Sequence, residues 1–330
     1  MPAEPVVGAQ APSVVPLVGP TGWALTVDVE EWYHTCHVPE FVHPERRPRL
    51  PQELDRLLPE LLDRLAAHGC RATFFTLGEV AARLPRRVRE IAAAGHEVAS
   101  HGFLHRRAGE LTVAAFRADV ARSQAQLADV VGEAVVGFRA PEWSLRRLDD
   151  PRLAVLAELG FRYDSSLAPW PGAGSRRNPW RASLLAWGDG RALPELPPLG
   201  LGLWRLPACG WTGRMAGAAA VARAAADHAA AGGLPVLVVH PWEISTRPTP
   251  GELTGLARFL HETGRGGYWR VFEELLGSRS WSVLRESVAR LQPVPDAAAA
   301  EGLAKAAAAG APWPGWSPAG SASRALGDGG

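Results

Sequence analysis

Two histidines four residues apart, His101 and His105, follow a short apolar run in the segment 98–105. Imidazoles at this spacing can present two neutral nitrogens on one side of a helical turn or tight loop, as a small divalent cation requires. The pair does not decide the matter alone, because ten histidines in 330 residues produce such spacings by chance. The alternative is a polar surface loop, and other segments must decide between the two.

Two carboxylates end a run of β-forming residues near the start of the chain. The segment 22–30, Gly-Trp-Ala-Leu-Thr-Val-Asp-Val-Glu, predicts a buried strand. Side chains alternate along a strand, so Asp28 and Glu30 share one face. Two carboxylates on one face are costly unless positive charge is nearby. The pattern therefore predicts a cationic partner at this strand end.

One carboxylate and two imidazoles would leave positions on a metal open for water and substrate, which suits Lewis-acid hydrolysis. The candidate ligands are Glu30, His101 and His105. Asp28 is the candidate general base, and Arg139 could orient it through a charge-assisted pair. His240, at another strand end, could protonate a leaving nitrogen or stabilise an oxyanion. This combination is what hydrolysis of an amide needs.

Each assignment has a structural alternative. Asp28 could cap a helix, Arg139 could form a structural salt bridge, and His240 could donate to a backbone carbonyl. Complementary chemistry at four strand ends is improbable by coincidence, which favours catalysis. We expect the other histidines to be solvated or structural: His34, His37, His43, His68, His96, His228 and His261.

Apolar patterns predict the elements that position these residues. Strands are expected at 22–30, 72–77, 97–99, 135–138, 161–166, 236–239 and 281–283, and helices at 51–68, 85–94, 112–131, 150–160, 217–231, 251–262 and 268–276. Repeated β–α units with polar strand ends predict an α/β fold, a parallel sheet or barrel with its chemistry at the carboxyl ends of the strands. We expect a flexible arm over 1–21, a catalytic domain over 22–291 and a disordered Ala/Gly/Pro-rich tail over 292–330. Within the domain, 167–215 is expected to be an irregular Pro/Gly/Trp-rich insertion that carries small strands and forms one wall of a binding site.

Composition narrows the class of protein. A net charge of +1 without a basic stripe argues against a nucleic-acid partner. Cys36, Cys70 and Cys209 form no C-x-x-C pair, so free thiols are expected rather than disulfides or a thiolate zinc site. The N-terminal segment lacks the features of a signal peptide, and no apolar run approaches the ~20 residues that span a bilayer. We therefore expect a cytoplasmic protein without a transmembrane segment; the sequence does not predict its oligomeric state.

Five segments, in order, resemble the motifs of the polysaccharide deacetylases, the family-4 carbohydrate esterases with the chitooligosaccharide deacetylase homology domain. They are Thr-Val-Asp-Val-Glu at 26–30, Ser-His-Gly-Phe-Leu-His at 100–105, Phe-Arg-Ala-Pro at 138–141, Tyr-Asp-Ser-Ser at 163–166 and Val-His-Pro-Trp-Glu-Ile at 239–244. The residues within these motifs are similar to those of the branch associated with exosortase (PEP-CTERM) exopolysaccharide clusters. The likeness covers about residues 23–283.

This resemblance implies a distorted (β/α)7 barrel that removes N-acetyl groups from N-acetylhexosamine units of a glycan, using Zn²⁺ or a similar divalent metal. By motif it implies base, acid and base-orienting roles for Asp28, His240 and Arg139, and metal binding by His101 and His105. Substrate contacts are expected from Pro141, Trp143, Asp164 and Trp242.

The first motif departs from the family pattern. Many members carry adjacent aspartates there, the second of which binds metal, whereas Val29 occupies that place here. Strand alternation favours Glu30 as the ligand, because it shares the face of Asp28. The longer Glu side chain could alter the position or affinity of the metal.

Three hypotheses remain open: a polysaccharide N-deacetylase of exopolysaccharide biosynthesis, a hydrolase of cyclic amides or ureides on the same barrel, and a non-catalytic glycan-binding homologue. The Trp-rich insertion and the residues within the five motifs favour a sugar substrate. An intact set of base, metal ligands and acid argues against a pure binding protein.

Overall fold

The computed structural model describes residues 11–19, 22–34, 45–172, 174–248, 253–277 and 279–294. Its strands are β1 Ser13–Val18, β2 Trp23–Val29, β3 Thr73–Thr76, β4 Glu97–Ser100, β5 Gly137–Phe138, β6 Tyr163–Asp164, β7 Ser183–Ala186, β8 Ala192–Glu195, β9 Gly200–Leu201, β10 Leu206–Pro207, β11 Val236–Val239, β12 Trp281–Ser282 and β13 Gln292–Pro293. Its α-helices are α1 Leu54–Ala67, α2 Gly78–Arg83, α3 Pro85–Ala93, α4 Val113–Val131, α5 Pro151–Glu158, α6 Gly210–Ala230, α7 Gly255–Glu262, α8 Tyr268–Gly277 and α9 Leu284–Val288. Short 3₁₀ turns include Trp32–His34, Pro141–Trp143 and Pro241–Ile244.

The main sheet is largely parallel. Its order is β11-β2-β3-β4-β5-β6-β8-β7-β1-β13, and β12 adds to the start of β2. The first seven strands of this path run parallel, whereas β7, β1 and β13 pair antiparallel. The expected α/β fold with a mainly parallel sheet is confirmed. Closure into a barrel is not confirmed, because the described strand pairs leave β11 and β13 at two separate ends of the path.

The sheet separates two apolar clusters, and β2 shows how. Leu25, Val27 and Val29 pack with the buried leucines of α1 in the larger cluster. Ala24 belongs instead to a smaller cluster with Phe75 of β3. The alternation expected along this strand is therefore observed, and Thr26 and Asp28 point to the same side as Ala24.

Two predicted helix starts are confirmed in atomic detail. The Thr112 hydroxyl accepts from Ala115 N–H at the start of α4, and Asp150 caps α5 by accepting from Arg152 N–H ahead of Pro151. The pattern missed α2, a short helix wedged between β3 and α3. Among the described helices, none has the length and apolarity needed to cross a bilayer.

The expectations about the arm and the tail differ from the structure, whereas the expected strands of the insertion are present. Residues 13–18 of the expected arm form β1, whose Val15 and Leu17 are buried. The insertion at 167–215 carries small strands, as expected, and two of them, β7 and β8, join the main sheet. The start of the expected tail forms β13, paired with β1. Pro16 in β1 and Pro293 in β13 hid these two strands, because proline weakens a strand signal in a sequence. The rest of the arm and tail lies outside the described residues.

Candidate functional site

Parallel pairing brings four chemistry-bearing residues to the carboxyl ends of four strands. Glu30, His101, Arg139 and His240 each follow directly on the last residue of β2, β4, β5 and β11. Asp28 lies two residues before Glu30, within β2. The register of the sheet aligns these ends at one edge, which is where α/β sheets place ligands.

The three predicted metal ligands lie together. Candidate ligand atoms of Glu30, His101 and His105 are all within 4.8 Å of one another, and all three residues are buried. Glu30 Oε2 is 2.7 Å from His105 Nε2 and 3.9 Å from His101 Nε2. The arrangement that the sequence predicted from alternation in β2 is therefore present, with Glu30 rather than Val29 facing the histidines.

The donor chemistry of this cluster fits a divalent cation. His101 Nδ1 lies 2.9 Å from the backbone oxygen of Arg139. A carbonyl oxygen only accepts, so Nδ1 carries the proton and Nε2 presents its lone pair toward Glu30 and His105. Burial lowers the pKa of His101 to about 4, despite nearby carboxylates, which keeps the imidazole neutral and able to ligate.

A strained loop holds the two histidines. Gly102 has φ +77° and His105 has φ +55°, both in the left-handed region. Asp119 of α4 accepts from the Phe103 N–H at 2.8 Å and so fixes the middle of the loop. Below it, Gly78 at the start of α2 packs so closely on Phe103 that a Cβ would lie 2.3 Å from its ring. The loop geometry thus depends on α2 and α4.

His34 supports His105 from the side, a role that the sequence did not predict. The two rings stack with centroids 5.1 Å apart. His34 Nδ1 accepts from the Glu31 N–H, so Nε2 carries the proton and donates to Glu79, each at 3.0 Å. Burial first, then nearby positive charge, lowers the pKa of His34 well below its usual value. A neutral ring can therefore pack against His105. His37 and His43 lie outside the described residues.

Arg139 holds the candidate base. Its guanidinium is fully buried and donates from Nη1 to Asp28 Oδ1 at 2.6 Å and to Thr26 at 2.9 Å. Nη2 donates to the Ser165 hydroxyl at 2.9 Å, which fixes the plane of the guanidinium. Burial raises the pKa of Asp28, but Arg139 and neighbouring histidines outweigh it, and the pKa lies below its usual value. Asp28 Oδ2 faces His240 Nε2 at 3.9 Å.

The candidate acid has a buried carboxylate behind it. His240 Nδ1 lies 2.8 Å from Glu243 Oε2, and Glu243 also accepts from the His240 N–H and from Arg214 Nη1 at 2.5 Å. Burial lowers the pKa of His240, but Glu30, Glu243 and Asp28 more than compensate and raise it to about 9. Neither Glu243 nor Arg214 was predicted from the sequence as part of the site. The three-residue spacing of His240 and Glu243 was a signal for the first; Arg214 had none.

An aromatic-lined cleft of about 490 Å³ opens above these groups. Trp143 and Trp242, both expected at the substrate, line it together with Trp170 and Trp211. Trp143 lies in a turn where it and Glu142 have φ of +49° and +54°, which is unfavourable for residues with a Cβ. Its ring meets Trp170 edge-on at 5.4 Å.

Two residues expected at the substrate do not line this cleft. Asp164 is fully buried, and its Oδ1 accepts from the Ser166 hydroxyl at 2.5 Å. Pro141 is buried beside Gly102. Neither residue therefore contacts the cleft in this structure.

Part of the chain is similar in sequence to known deacetylases. Residues 50–163 match the family model described as polysaccharide deacetylase. The peptidoglycan deacetylase of Helicobacter pylori is 29% identical over 110 residues, which are 33% of this chain and 36% of that protein. The chitooligosaccharide deacetylase of Sinorhizobium fredii is 49% identical over 47 residues, 14% of this chain and 22% of that protein. The matches thus span about a third or less of these curated relatives.

A solved structure extends the likeness over most of the chain. The crystal structure of a Mycobacterium smegmatis protein assigned as a polysaccharide deacetylase has a TM-score of 0.54 and 24% identity. The likeness covers 86% of this chain and 99% of that one, and it supports the fold. The segment of this chain that matches the polysaccharide deacetylase family model, residues 50–163, carries His101, His105 and Arg139.

Proposed function

We propose that this chain is a metal-dependent hydrolase that removes N-acetyl groups from N-acetylhexosamine units of a polysaccharide or oligosaccharide. The observation that carries the proposal is the pairing of Asp28 with His240 beside the Glu30, His101 and His105 cluster. Their pKa values are moved apart, one below its usual value and one to about 9. Two groups in opposite protonation states at neutral pH are what a base and an acid require.

The reaction follows from the positions of these groups. Glu30, His101 and His105 would hold a divalent cation, whose positive charge would polarise the acetyl carbonyl. Asp28 Oδ2 accepts a proton from the attacking water while Arg139 holds Oδ1. The new C–O bond forms at the carbonyl carbon, and the C–N bond then breaks as His240 Nε2 gives its proton to the leaving nitrogen. Acetate and the free amino sugar are the products.

Zn²⁺ is the cation that we propose. Two imidazole nitrogens and one carboxylate oxygen form a three-ligand set typical of catalytic zinc, with room left for substrate. Neutral His101, fixed by its contact with the Arg139 carbonyl, supports this choice.

The cleft favours a sugar over a cyclic amide or ureide. Trp143, Trp170, Trp211 and Trp242 offer apolar ring faces, and aromatic faces suit the C–H side of a pyranose. Relatives are named for action on peptidoglycan and chitooligosaccharide, which supports an N-acetylated glycan here. Because the residues of the five motifs resemble those of the exopolysaccharide-associated branch, we extend the proposal to a role in exopolysaccharide biosynthesis. We place that role in the cytoplasm and propose no nucleic-acid partner.

A distorted (β/α)7 barrel is part of the proposal. Seven consecutive strands of the sheet are parallel. Just beyond β8, the Leu199 N–H donates to the Val236 carbonyl of β11 at 2.8 Å, which supports closure at this point.

Acetate release from N-acetylglucosamine oligomers tests the function. We expect release by protein loaded with zinc, loss of release with a chelator and recovery when zinc is restored. Turnover of a cyclic imide without acetate release from any N-acetylated glycan would contradict the proposal in favour of the second enzyme class. Glycan binding without turnover of either substrate would support a non-catalytic homologue instead.

A further inference from the structure

The hairpin formed by β9 and β10 exposes an apolar tip. Leu203 is 85% exposed and Trp204 65% exposed, and Leu206 at the start of β10 is 50% exposed. The turn is compact, because Gly202 and Arg205 have φ of +61° and +49° and the Arg205 N–H donates to the Gly202 carbonyl. Side chains of this size are seldom left exposed side by side without a partner.

Three arginines lie in or near this hairpin. The Arg176 guanidinium lies 5.3 Å from the Trp204 ring centroid, and those of Arg205 and Arg181 lie 4.9 and 4.0 Å from that of Trp180. Burial lowers the pKa of Arg205, and repulsion from Arg176 and Arg181 lowers it further. In the part of the chain that the structure describes, none of the three pairs with a carboxylate. The hairpin therefore lies beside three positive charges that no carboxylate of the described residues neutralises.

The base of the hairpin belongs to the candidate active site. Leu206 and Pro207 line the cleft, and Trp211 continues the lining from the first turn of α6. Trp211 in turn lies 6.4 Å from Phe259, which is 54% exposed. A surface held by the tip would consequently lie beside the mouth of the cleft.

We propose that this hairpin docks the protein onto an anionic lipid surface. Leu203 and Trp204 enter the interfacial region of the bilayer, and Arg176, Arg181 and Arg205 contact lipid phosphates. An indole prefers the interface, where one edge is apolar and the other polar. Clustered basic residues are attracted to anionic lipid, and apolar residues beside them add binding energy.

A soluble acidic glycan fits the same features less well. Arginines and an indole could bind sulfate or carboxylate groups on a sugar, but Leu203 would gain little from such a ligand. This isobutyl side chain at the outermost point of the turn needs an apolar phase to be buried. The inference does not depend on the proposed deacetylase activity, because neither tip residue lines the cleft.

Vesicle sedimentation tests the proposal. The full chain is mixed with vesicles of phosphatidylcholine alone, or of three parts phosphatidylcholine to one part phosphatidylglycerol. We expect binding to the anionic vesicles that weakens as salt rises. The double variant Leu203→Ser/Trp204→Ser should bind at least about tenfold more weakly, and Arg176→Gln/Arg205→Gln should lose most of the preference for anionic lipid.

Matched controls separate docking from general surface effects. Val18→Ser changes an exposed apolar residue on β1, and Arg86→Gln changes an exposed arginine on α3. Both should bind like the unaltered chain. All variants should keep its thermal unfolding midpoint and its acetate release from soluble oligosaccharide, because no altered residue lines the cleft and all of them except the half-buried Arg205 are exposed.

Three outcomes would overturn the docking proposal. One is absence of binding to anionic vesicles by the unaltered chain, and another is equal binding by the Leu203/Trp204 double variant. The third is binding to an acidic oligosaccharide such as heparin, or a self-association seen in sedimentation velocity, that the hairpin variants abolish while vesicle binding is unaffected.

Discussion

Asp28 and His240 face each other across 3.9 Å, yet their neighbours drive their pKa values in opposite directions. Asp28 is paired with a buried guanidinium and His240 with a buried carboxylate. Each charged form is therefore stabilised by a partner that cannot reach solvent, and the two functions do not compete for one proton. Arg139 and Glu243 thus determine the protonation states of Asp28 and His240.

Substitutions of Asp28 and His101 should separate base from ligand. We expect Asp28→Asn to retain zinc and lose activity about 10²- to 10⁴-fold, because the amide cannot accept the proton of water. His101→Ala should lose both metal and activity, since a ligand is removed. Metal content by atomic emission and acetate release check both statements. Equal metal loss in the two variants would contradict the division of roles.

The carboxylate of Glu243 should set the alkaline limit of activity. In the proposed reaction His240 acts in its protonated form, so kcat/KM should fall as pH rises through its pKa, which lies at about 9. Glu243→Gln removes the adjacent negative charge, and the limb should move toward lower pH by about one to three units. A pH profile of kcat/KM measures the shift.

Glu53→Gln is the control for this profile. Glu53 is another buried carboxylate, which accepts from the Ser245 hydroxyl and does not line the cleft. Its substitution should leave the alkaline limb in place. An unmoved limb in Glu243→Gln would show that Glu243 does not tune His240.

At the scale of elements, short strands position the site because their neighbours fit closely. Gly137 in β5 lies against the Tyr163 side chain of β6, whose hydroxyl donates to Glu97 at 2.9 Å. Two residues after Gly137, Arg139 holds the base. The packing beneath β5 thus determines where a buried guanidinium is presented.

Gly137→Ala should disturb this packing. The added Cβ would lie 2.1 Å from the Tyr163 ring, so strands or side chain must shift. We expect a loss of about 1–3 kcal/mol in the free energy of unfolding, together with a lower kcat, because Arg139 moves with β5. Urea unfolding and acetate release measure the two effects. Gly109→Ala, where a Cβ meets nothing within 4 Å, is the control, and equal stability of the two variants would refute the argument.

Some elements could be predicted from the sequence because their signals are local. Alternation placed Asp28 and Glu30 on one face, and cap residues gave the starts of α4 and α5. The stack of His34 on His105 could not be predicted, because it joins segments about seventy residues apart through a short turn. Arg214 was missed for the same reason, since its contact with Glu243 arises only when α6 packs beside the 3₁₀ turn at 241–244.

At the scale of the whole molecule, the two ends of the described chain close one side of the sheet. Leu17 of β1 lies opposite Pro293 of β13, and its N–H donates to the Ala182 carbonyl ahead of β7. The sequence predicted a flexible arm here, because no helix or strand period is visible around the prolines. The strand is instead stabilised by partners that are distant in sequence.

Leu17→Ala tests whether β1 belongs to the cooperative fold. Leu17 is 1% exposed, and we expect its truncation to cost about 2–5 kcal/mol in the free energy of unfolding. Val18→Ala, on the exposed side of the same strand, should cost much less. Urea unfolding followed by circular dichroism and by tryptophan fluorescence should shift as one transition. Unchanged stability in Leu17→Ala would mean that β1 is a dispensable arm.

Arg139 contacts the site with two chemically independent parts, its backbone carbonyl at His101 and its guanidinium at Asp28. In evolutionary terms, these parts can be inherited separately, because any residue at this position supplies a carbonyl but few supply the guanidinium. In the proposed function, a single codon change at residue 139 would therefore remove the partner of Asp28 while the carbonyl contact to His101 persists.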